Sequence, residues 1–173
     1  MEGVGLNSVF WKGKRVLVTG HTGFKGAWLS ELLLALGSTV AGYSLDIPTN
    51  PSIFEQLRLA ERVDHTLGDV RDLPALRKSM VRFQPNVVFH MAAQSLVRHS
   101  YVDPIGTYST NVMGTVHLLE ACRLLDTLSA VVVVTSDKCY ENREWHWGYR
   151  ENDPLGGYDP YSSSKACAEL VTS

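Results

Sequence analysis

The stretch Gly20-His21-Thr22-Gly23-Phe24-Lys25-Gly26, which follows the apolar run Arg15-Val16-Leu17-Val18-Thr19, decides the fold. A strand that ends in a tight turn and reopens as a helix needs Gly20 to reverse the chain, Gly23 to let the backbone approach a pyrophosphate, and Gly26 to let the helix lie close to the sheet. The helix start then turns unpaired N–H groups and a positive dipole end toward phosphates. Three glycines at this spacing are a weak signal in a chain that has 14. Their position between a strand and an amphipathic segment makes the turn a candidate nucleotide site.

Outward from that turn, short β-branched runs alternate with longer amphipathic ones, the pattern of βαβ units. Strands are expected over Arg15 to Thr19, Thr39 to Ser44, Val63 to Leu67, Val87 to His90 and Ala130 to Thr135. Helices are expected over Ala27 to Leu36 with Gly37 as the stop, Leu73 to Arg82 closed by Pro85, and Met113 to Leu125. Asn142 to Pro160 reads as a loop, too long to be filler. The fold class is α/β, a Rossmann-like doubly wound parallel sheet, and residues 1–173 form one nucleotide-binding domain. Lys165 opens a helix that stops at Ser173, so the chain is expected to be the N-terminal portion of a longer protein.

Composition excludes several classes. With 173 residues, 45% of them hydrophobic, and a net charge of −2, the chain can bury a core and carries no basic footprint for nucleic acid. Cys122, Cys139 and Cys167 are too few and too scattered for a zinc cluster, and their odd number argues against a disulfide framework. No metal site is expected. Met1 to Lys14 has no basic start leading into a continuous apolar stretch, and no segment is apolar enough to span a membrane, so a cytoplasmic location is expected.

Two further motifs carry chemistry. In Tyr161-Ser-Ser-Ser-Lys165 the tyrosine and lysine are four apart and share a helix face. An ammonium beside a phenol favours the phenolate, which makes Tyr161 a usable base near neutral pH. Thr135-Ser136-Asp137-Lys138 follows a four-valine run and sits at the carboxyl end of a strand, the edge that lines the crevice of an open parallel sheet. Ser136, Asp137 and Lys138 would supply a hydrogen bond, an acid and a base; a polar turn closing the strand is the plainer alternative. With the glycine turn, these motifs suggest a nicotinamide enzyme.

Weaker signals surround them. Asp46, 20 residues past Gly26, is placed to hold ribose hydroxyls and to favour NAD over NADP, with Ser44 as the alternative occupant. Asp69-Val70 either reaches an adenine edge or caps the next helix. Ala92-Ala93-Gln94 allows close approach to a cofactor, and Asn111 either orders the active-site backbone or caps the helix after it. Lys25 adds charge near phosphates or stays solvated. His90 reads as a core histidine. Trp145, Trp147 and Tyr149 either stack a base or pack within their loop.

With GHTGFKG, AAQSLVRHS, TSDK and ENDPLGGYDPYSSSK, the chain from Phe10 onward resembles the extended short-chain dehydrogenase/reductases, most closely their CDP-glucose 4,6-dehydratase branch. The resemblance implies a lyase that uses NAD, bound by Gly20, Thr22, Gly23, Phe24, Gly26, Asp46, Asp69, Val70, Ala92, Ala93, Gln94, Asn111, Thr135, Tyr161 and Lys165. It implies a sugar-nucleotide substrate, CDP-glucose, and a step in deoxysugar and lipopolysaccharide O-antigen biosynthesis. Tyr161, helped by Ser136, would deprotonate the sugar 4-hydroxyl, Lys138 would take the C5 proton, and Asp137 would protonate the departing C6 hydroxyl. Lys138 must then act neutral and Asp137 protonated, which needs a dry site. Related dTDP-glucose enzymes have glutamate where Lys138 stands. The resemblance also implies a C-terminal lobe for the nucleotide, absent here, and a homo-oligomer paired through the helices near Tyr108 to Leu125 and from Tyr161.

Overall fold

The computed structural model describes residues 8–173. The expectation about the first seven residues of Met1 to Lys14 lies outside them. Five parallel strands form one sheet in the order β3-β2-β1-β4-β5: β1 Arg15–Thr19, β2 Thr39–Ser44, β3 Asp64–Leu67, β4 Val87–His90 and β5 Ala130–Val133. The order reverses between β1 and β4, and at that switch point a doubly wound sheet opens a crevice beyond its carboxyl ends. Thr19 is paired with Tyr43 on one side and His90 on the other, so three strands end at the same edge.

Helices cover both faces: α1 Ser8–Trp11, α2 Phe24–Ala35, α3 Ile53–Gln56, α4 Leu73–Phe83, α5 Val97–Val102, α6 Pro104–Tyr108, α7 Gly114–Cys122 and α8 Pro160–Thr172. Side chains alternate along β1, so Leu17 packs with Leu76, Met80, Leu118 and Ala121 beneath α4 and α7. Val16 and Val18 face the other way, onto Leu33 of α2. Aspartates start α6 and α8: Asp103 Oδ1 accepts from Gly106 N at 2.8 Å, and Asp159 Oδ1 accepts from Ser162 N at 2.9 Å. Proline follows each cap, where a missing N–H costs nothing.

Several boundaries differ from expectation. The helix expected from Ala27 begins at Phe24, because the glycine turn is tight enough for helical bonding to start inside it; Ala27 N already donates to Gly23 O at 2.8 Å. The helix expected over Met113 to Leu125 is shorter, Gly114–Cys122, and is preceded by a π-helical turn over Ser109–Met113. The fifth strand stops at Val133, though Val134 N still donates to His90 O at 2.9 Å. The loop expected over Asn142 to Pro160 is pinned at its base by the Tyr140–Leu155 bridge and the 2.9 Å bond from Gly156 N to Cys139 O. Among the described residues, no helix is long and apolar enough to cross a membrane.

Two imidazoles lie deep in this frame, His21 at 0% and His90 at 3% exposure. Burial holds each down to about 3, with His65 adding to the effect on His21 and Lys165 to that on His90. Between about 3 and the ordinary 6.5, the unfolded chain binds protons that the folded chain refuses, so stability falls as pH falls through that window. Each refused proton contributes a slope of ~1.4 kcal/mol per pH unit. Urea midpoints at pH 6.5, 5.8 and 5.0 should therefore drop steadily before most carboxylates titrate, and less steeply in His90→Gln. A flat profile would show that these imidazoles charge readily in the folded state.

Candidate active site

A cleft of about 820 Å³ opens at the carboxyl edge of the sheet. Its floor is the turn between β1 and α2. Gly20 has φ +74°, and a Cβ there would meet Ala92 N and the Met91 carbonyl carbon at 2.9 Å. A Cβ on Gly26 would overlap the Gly20 carbonyl oxygen, so α2 can seat against β1 only with hydrogen at that position. Gly23 differs: at φ −73° it is ordinary backbone, and a Cβ would touch only Gly20 O, at 3.4 Å. Gly23 is thus bare toward the cleft rather than toward the protein, which fits an anion lying on the N-terminus of a 12-residue helix.

Most of the expected cofactor residues meet here. Gly20, Thr22, Gly23, Phe24 and Gly26 line the floor, Asp46, Asp69 and Val70 one end, and Ala92, Ala93, Gln94, Thr135, Tyr161 and Lys165 the opposite wall. Ser44 also lines the cleft, but its hydroxyl is engaged by Thr22 N at 3.3 Å and His21 Nδ1 at 2.7 Å. Asp46 is held in place through its backbone, whose oxygen accepts from Thr22 Oγ1 at 2.5 Å.

For other residues, partners in the structure decide between the two expected readings. Asp69 is gripped by Arg71, with Nη2 to Oδ2 at 2.6 Å and Nε to both oxygens at 2.9 and 3.0 Å, and this guanidinium holds the carboxyl below its usual range. The residue that caps α4 is Asp72, which accepts from Ala75 N at 3.0 Å. Asn111 is 2% exposed and stands behind the wall without lining it. Its Oδ1 accepts from Gln94 N at 2.8 Å, and its Nδ2 donates to Gln94 O at 3.0 Å and Ser164 Oγ at 2.8 Å. It therefore orders the backbone of the wall and does not cap α7. Trp145 packs on Trp147 and Tyr149 within its own loop, away from the cleft.

Tyr161 and Lys165 occupy successive turns of α8 and face the cleft together. Lys165 is 7% exposed and donates one hydrogen bond, to Val134 O at 3.1 Å, which leaves two N–H donors for the cleft. Burial, reinforced by the charge of Lys25, lowers it to about 8. Next to Val134, Thr135 Oγ1 donates to Glu169 on the same helix, and Cys139 Sγ approaches that carboxylate oxygen at 3.9 Å. The turn between them is the acid–base candidate. Ser136 Oγ donates to Asp137 Oδ1 at 3.1 Å and accepts from Lys138 N at 3.2 Å. Asp137 and Lys138 are exposed and lie just outside the cleft, so the dry surroundings expected for them are not provided by the described residues.

Sequence reasoning missed Arg71, His99 and Thr110 on the cleft wall, and Thr19 behind it. Thr19 Oγ1 accepts from Met91 N and Ala92 N, both at 3.1 Å, so its one hydrogen must go to His90 Nδ1 at 2.8 Å. That fixes His90 with hydrogen on Nε2, an atom buried without a partner among the described residues. A threonine at a strand end followed by glycine was the only available signal.

Residues 17–173 match the family profile described as GDP-mannose 4,6 dehydratase. The chain is 64% identical over 168 residues, 97% of its length, to CDP-glucose 4,6-dehydratase of Salmonella typhimurium, of which it covers 47%. It is 35% identical over 161 residues to dTDP-glucose 4,6-dehydratase of Streptomyces griseus, covering 90% of this chain and 48% of that protein. The fold superposes on the crystal structure of UDP-glucose 4-epimerase from Brucella ovis in complex with NAD with a TM-score of 0.79 at 31% identity, covering 92% of this chain and 46% of that one. For dTDP-glucose 4,6-dehydratase from Bacillus anthracis in complex with NAD the TM-score is 0.76 at 25% identity, covering 92% and 49%. The chain spans about half the length of the curated relatives it matches.

Two outcomes follow from the geometry of the floor and wall. Gly23→Ala should leave stability within about 1 kcal/mol yet weaken dinucleotide binding roughly tenfold or more, whereas Gly26→Ala should lower the melting temperature sharply by forcing α2 off the sheet; thermal melts and binding titrations separate them, and unchanged affinity in Gly23→Ala would remove the turn from the binding site. Affinity for an anionic ligand should also fall as pH rises through about 8, where Lys165 loses its proton. Lys165→Met should abolish that step, and its persistence would assign the step to another group.

Proposed function

Because the chain belongs to the GDP-mannose 4,6 dehydratase family, we propose that it supplies the NAD-binding and acid–base half of a lyase that converts CDP-glucose to CDP-4-dehydro-6-deoxyglucose. The observation that carries this reading is the shared wall: Tyr161 and Lys165 face the cleft beside Thr135, and the Ser136-Asp137-Lys138 turn follows at the rim. The 64% identity to a CDP-glucose 4,6-dehydratase supports the choice of substrate. Exposed Tyr108, Met113 and Leu124 along the first of the expected pairing segments, and Leu170 on α8, support the expected homo-oligomer. Three unpaired cysteines support a reducing, cytoplasmic setting.

The residues present suit NAD: bare backbone at a helix start for the pyrophosphate, Asp46 at the end of β2 for ribose hydroxyls, and Lys165 at the opposite end. NAD held by these residues would supply a reversible hydride acceptor, for the hydride that leaves the sugar C4 and is returned at C6. Tyr161 accepts the proton of the 4-hydroxyl, and the Lys165 ammonium stands beside it on the same helix face. The 4-ketone acidifies C5, from which Lys138 takes a proton that it later gives back, while Asp137 gives its own proton to the C6 hydroxyl so that it leaves as water. Ser136, already bonded to Asp137, orients that carboxyl. Asp137 and Lys138 are exposed at the rim, where a bound sugar would cover them. An epimerase of the same superfamily would need Tyr161 and Lys165 but no acid–base pair on the turn.

A chimera joining this chain to the remaining length of the Salmonella relative, incubated with NAD and CDP-glucose, should form a 4-keto product detected by its alkaline absorbance, with no net NADH released. Asp137→Asn and Lys138→Met should each lower kcat by about 10²-fold or more while leaving NAD affinity unchanged. Full turnover in both variants would end the dehydratase mechanism as assigned, and an isomeric sugar product would establish an epimerase.

A further inference from the structure

The geometry points to a hydrogen-bonded relay, His65–His21–Ser44, that sets whether the Ser44 hydroxyl offers a hydrogen or a lone pair to the ribose end of the cleft. This rests on the reading of the cleft as a dinucleotide site. His21 sits between Gly20 and Thr22 in the phosphate turn, yet its side chain is fully buried. Its ring fills the space left by Gly42 on β2, where a Cβ would overlap it, and Phe54 packs edge-on with ring centroids 5.2 Å apart. His21 Nδ1 lies 2.7 Å from Ser44 Oγ, and His21 Nε2 lies 2.7 Å from Nδ1 of the half-exposed His65 on the edge strand β3. The chain of bonds therefore runs from the edge of the sheet to a hydroxyl on the cleft wall.

Counting hydrogens makes this a two-state device. His21 is held neutral by burial and carries one ring hydrogen. In one arrangement Ser44 donates to His21 Nδ1, His21 Nε2–H donates to His65, and the serine oxygen keeps a lone pair for the cleft. In the other, His65 Nδ1–H donates to His21 Nε2 and His21 Nδ1–H donates to Ser44. The serine oxygen then accepts from both His21 and Thr22 N, and its own hydrogen must turn to the cleft it lines. A charged His65 has hydrogen on both nitrogens and allows only the second arrangement. Around His21 stand the Tyr43 carbonyl, which favours a proton on the ring, along with Ser44, His65 and Phe54. His65 faces His21 and Phe54, and burial lowers it below its ordinary value. Its strand neighbours Asp64 and Thr66 point to the opposite face, where Arg82 holds them.

Protonation of His65 thus gives Ser44 a free donor for a ribose or phosphate oxygen, and NAD should bind more tightly as pH falls from 7 to 5. The expected gain is roughly two- to tenfold, the worth of one net hydrogen bond. Imidazole ¹⁵N–¹H spectra of the chain without ligand should show the His21 hydrogen moving from Nε2 to Nδ1 as His65 titrates, a readout that needs neither activity nor a variant. NAD titrations at pH 7 and 5 should show the gain in the wild-type chain and lose it in His65→Phe. A His21 tautomer that ignores the state of His65 overturns the relay, as does an equal gain in His65→Phe, which would place the effect on another group such as His99. If the tautomer switches but NAD does not bind at either pH, the relay stands and the cofactor reading falls.

Discussion

The structure depends on one close approach, that of the Gly26 backbone to the Gly20 carbonyl. Only with hydrogen at position 26 can α2 start in the turn that ends β1, and only then do its first N–H groups reach the sheet edge. Displacement by the width of a methyl group would lift α2, and with it Leu33, from Val16 and Val18, opening the core on that face. The same displacement would carry Thr22 away from Ser44 and Asp46, which it links to the phosphate turn. Packing and binding are therefore governed by the same atoms.

The opposite wall is built by a different device. Nothing like a glycine turn brings the end of β5 to α8; polar side chains do. Lys165 reaches Val134 O, Glu169 receives Thr135, and Asn111 ties α8 through Ser164 to the Gln94 backbone. Such buried polar links stabilise only when fully satisfied, and they specify a single arrangement because any shift leaves a group unpaired. The wall that carries Tyr161 is thus positioned through several bonds that must all form together.

Much of this was legible in the sequence because it depends on local pattern. Strand runs, the glycine turn and the i, i+4 pair Tyr161–Lys165 each follow from backbone sterics or helix period, and the structure gathers them in one cleft. Most of what escaped depends on partners distant in sequence. Arg71, two residues from Asp69, competes locally with a ligand for that carboxylate, whereas His21 resembles a solvated turn residue until Gly42 and His65 are brought beside it. Asn111 left two readings open until folding set Gln94 and Ser164 around it. The short helices α5 and α6 carry too little periodicity to be read, and the π turn before α7 displaces the apolar spacing that suggested a longer helix.

The exposure of Asp137 and Lys138 has a physical logic in this arrangement. Both ends of their turn are fastened to the helix that bears Tyr161 and Lys165, through Thr135 and Cys139 to Glu169, and Ser136 caps the turn from within. The backbone is therefore set before anything covers it, while the charged tips stay in water, where an unpaired acid and amine cost least. Lys165 is treated in the opposite way: it is buried from the start, bonded to Val134 and pressed by Lys25, so an entering anion relieves a cost already present in the fold. Lys165 thus meets its cost within the fold while Lys138 keeps its tip in water, and the difference between the two lysines is the water that each keeps.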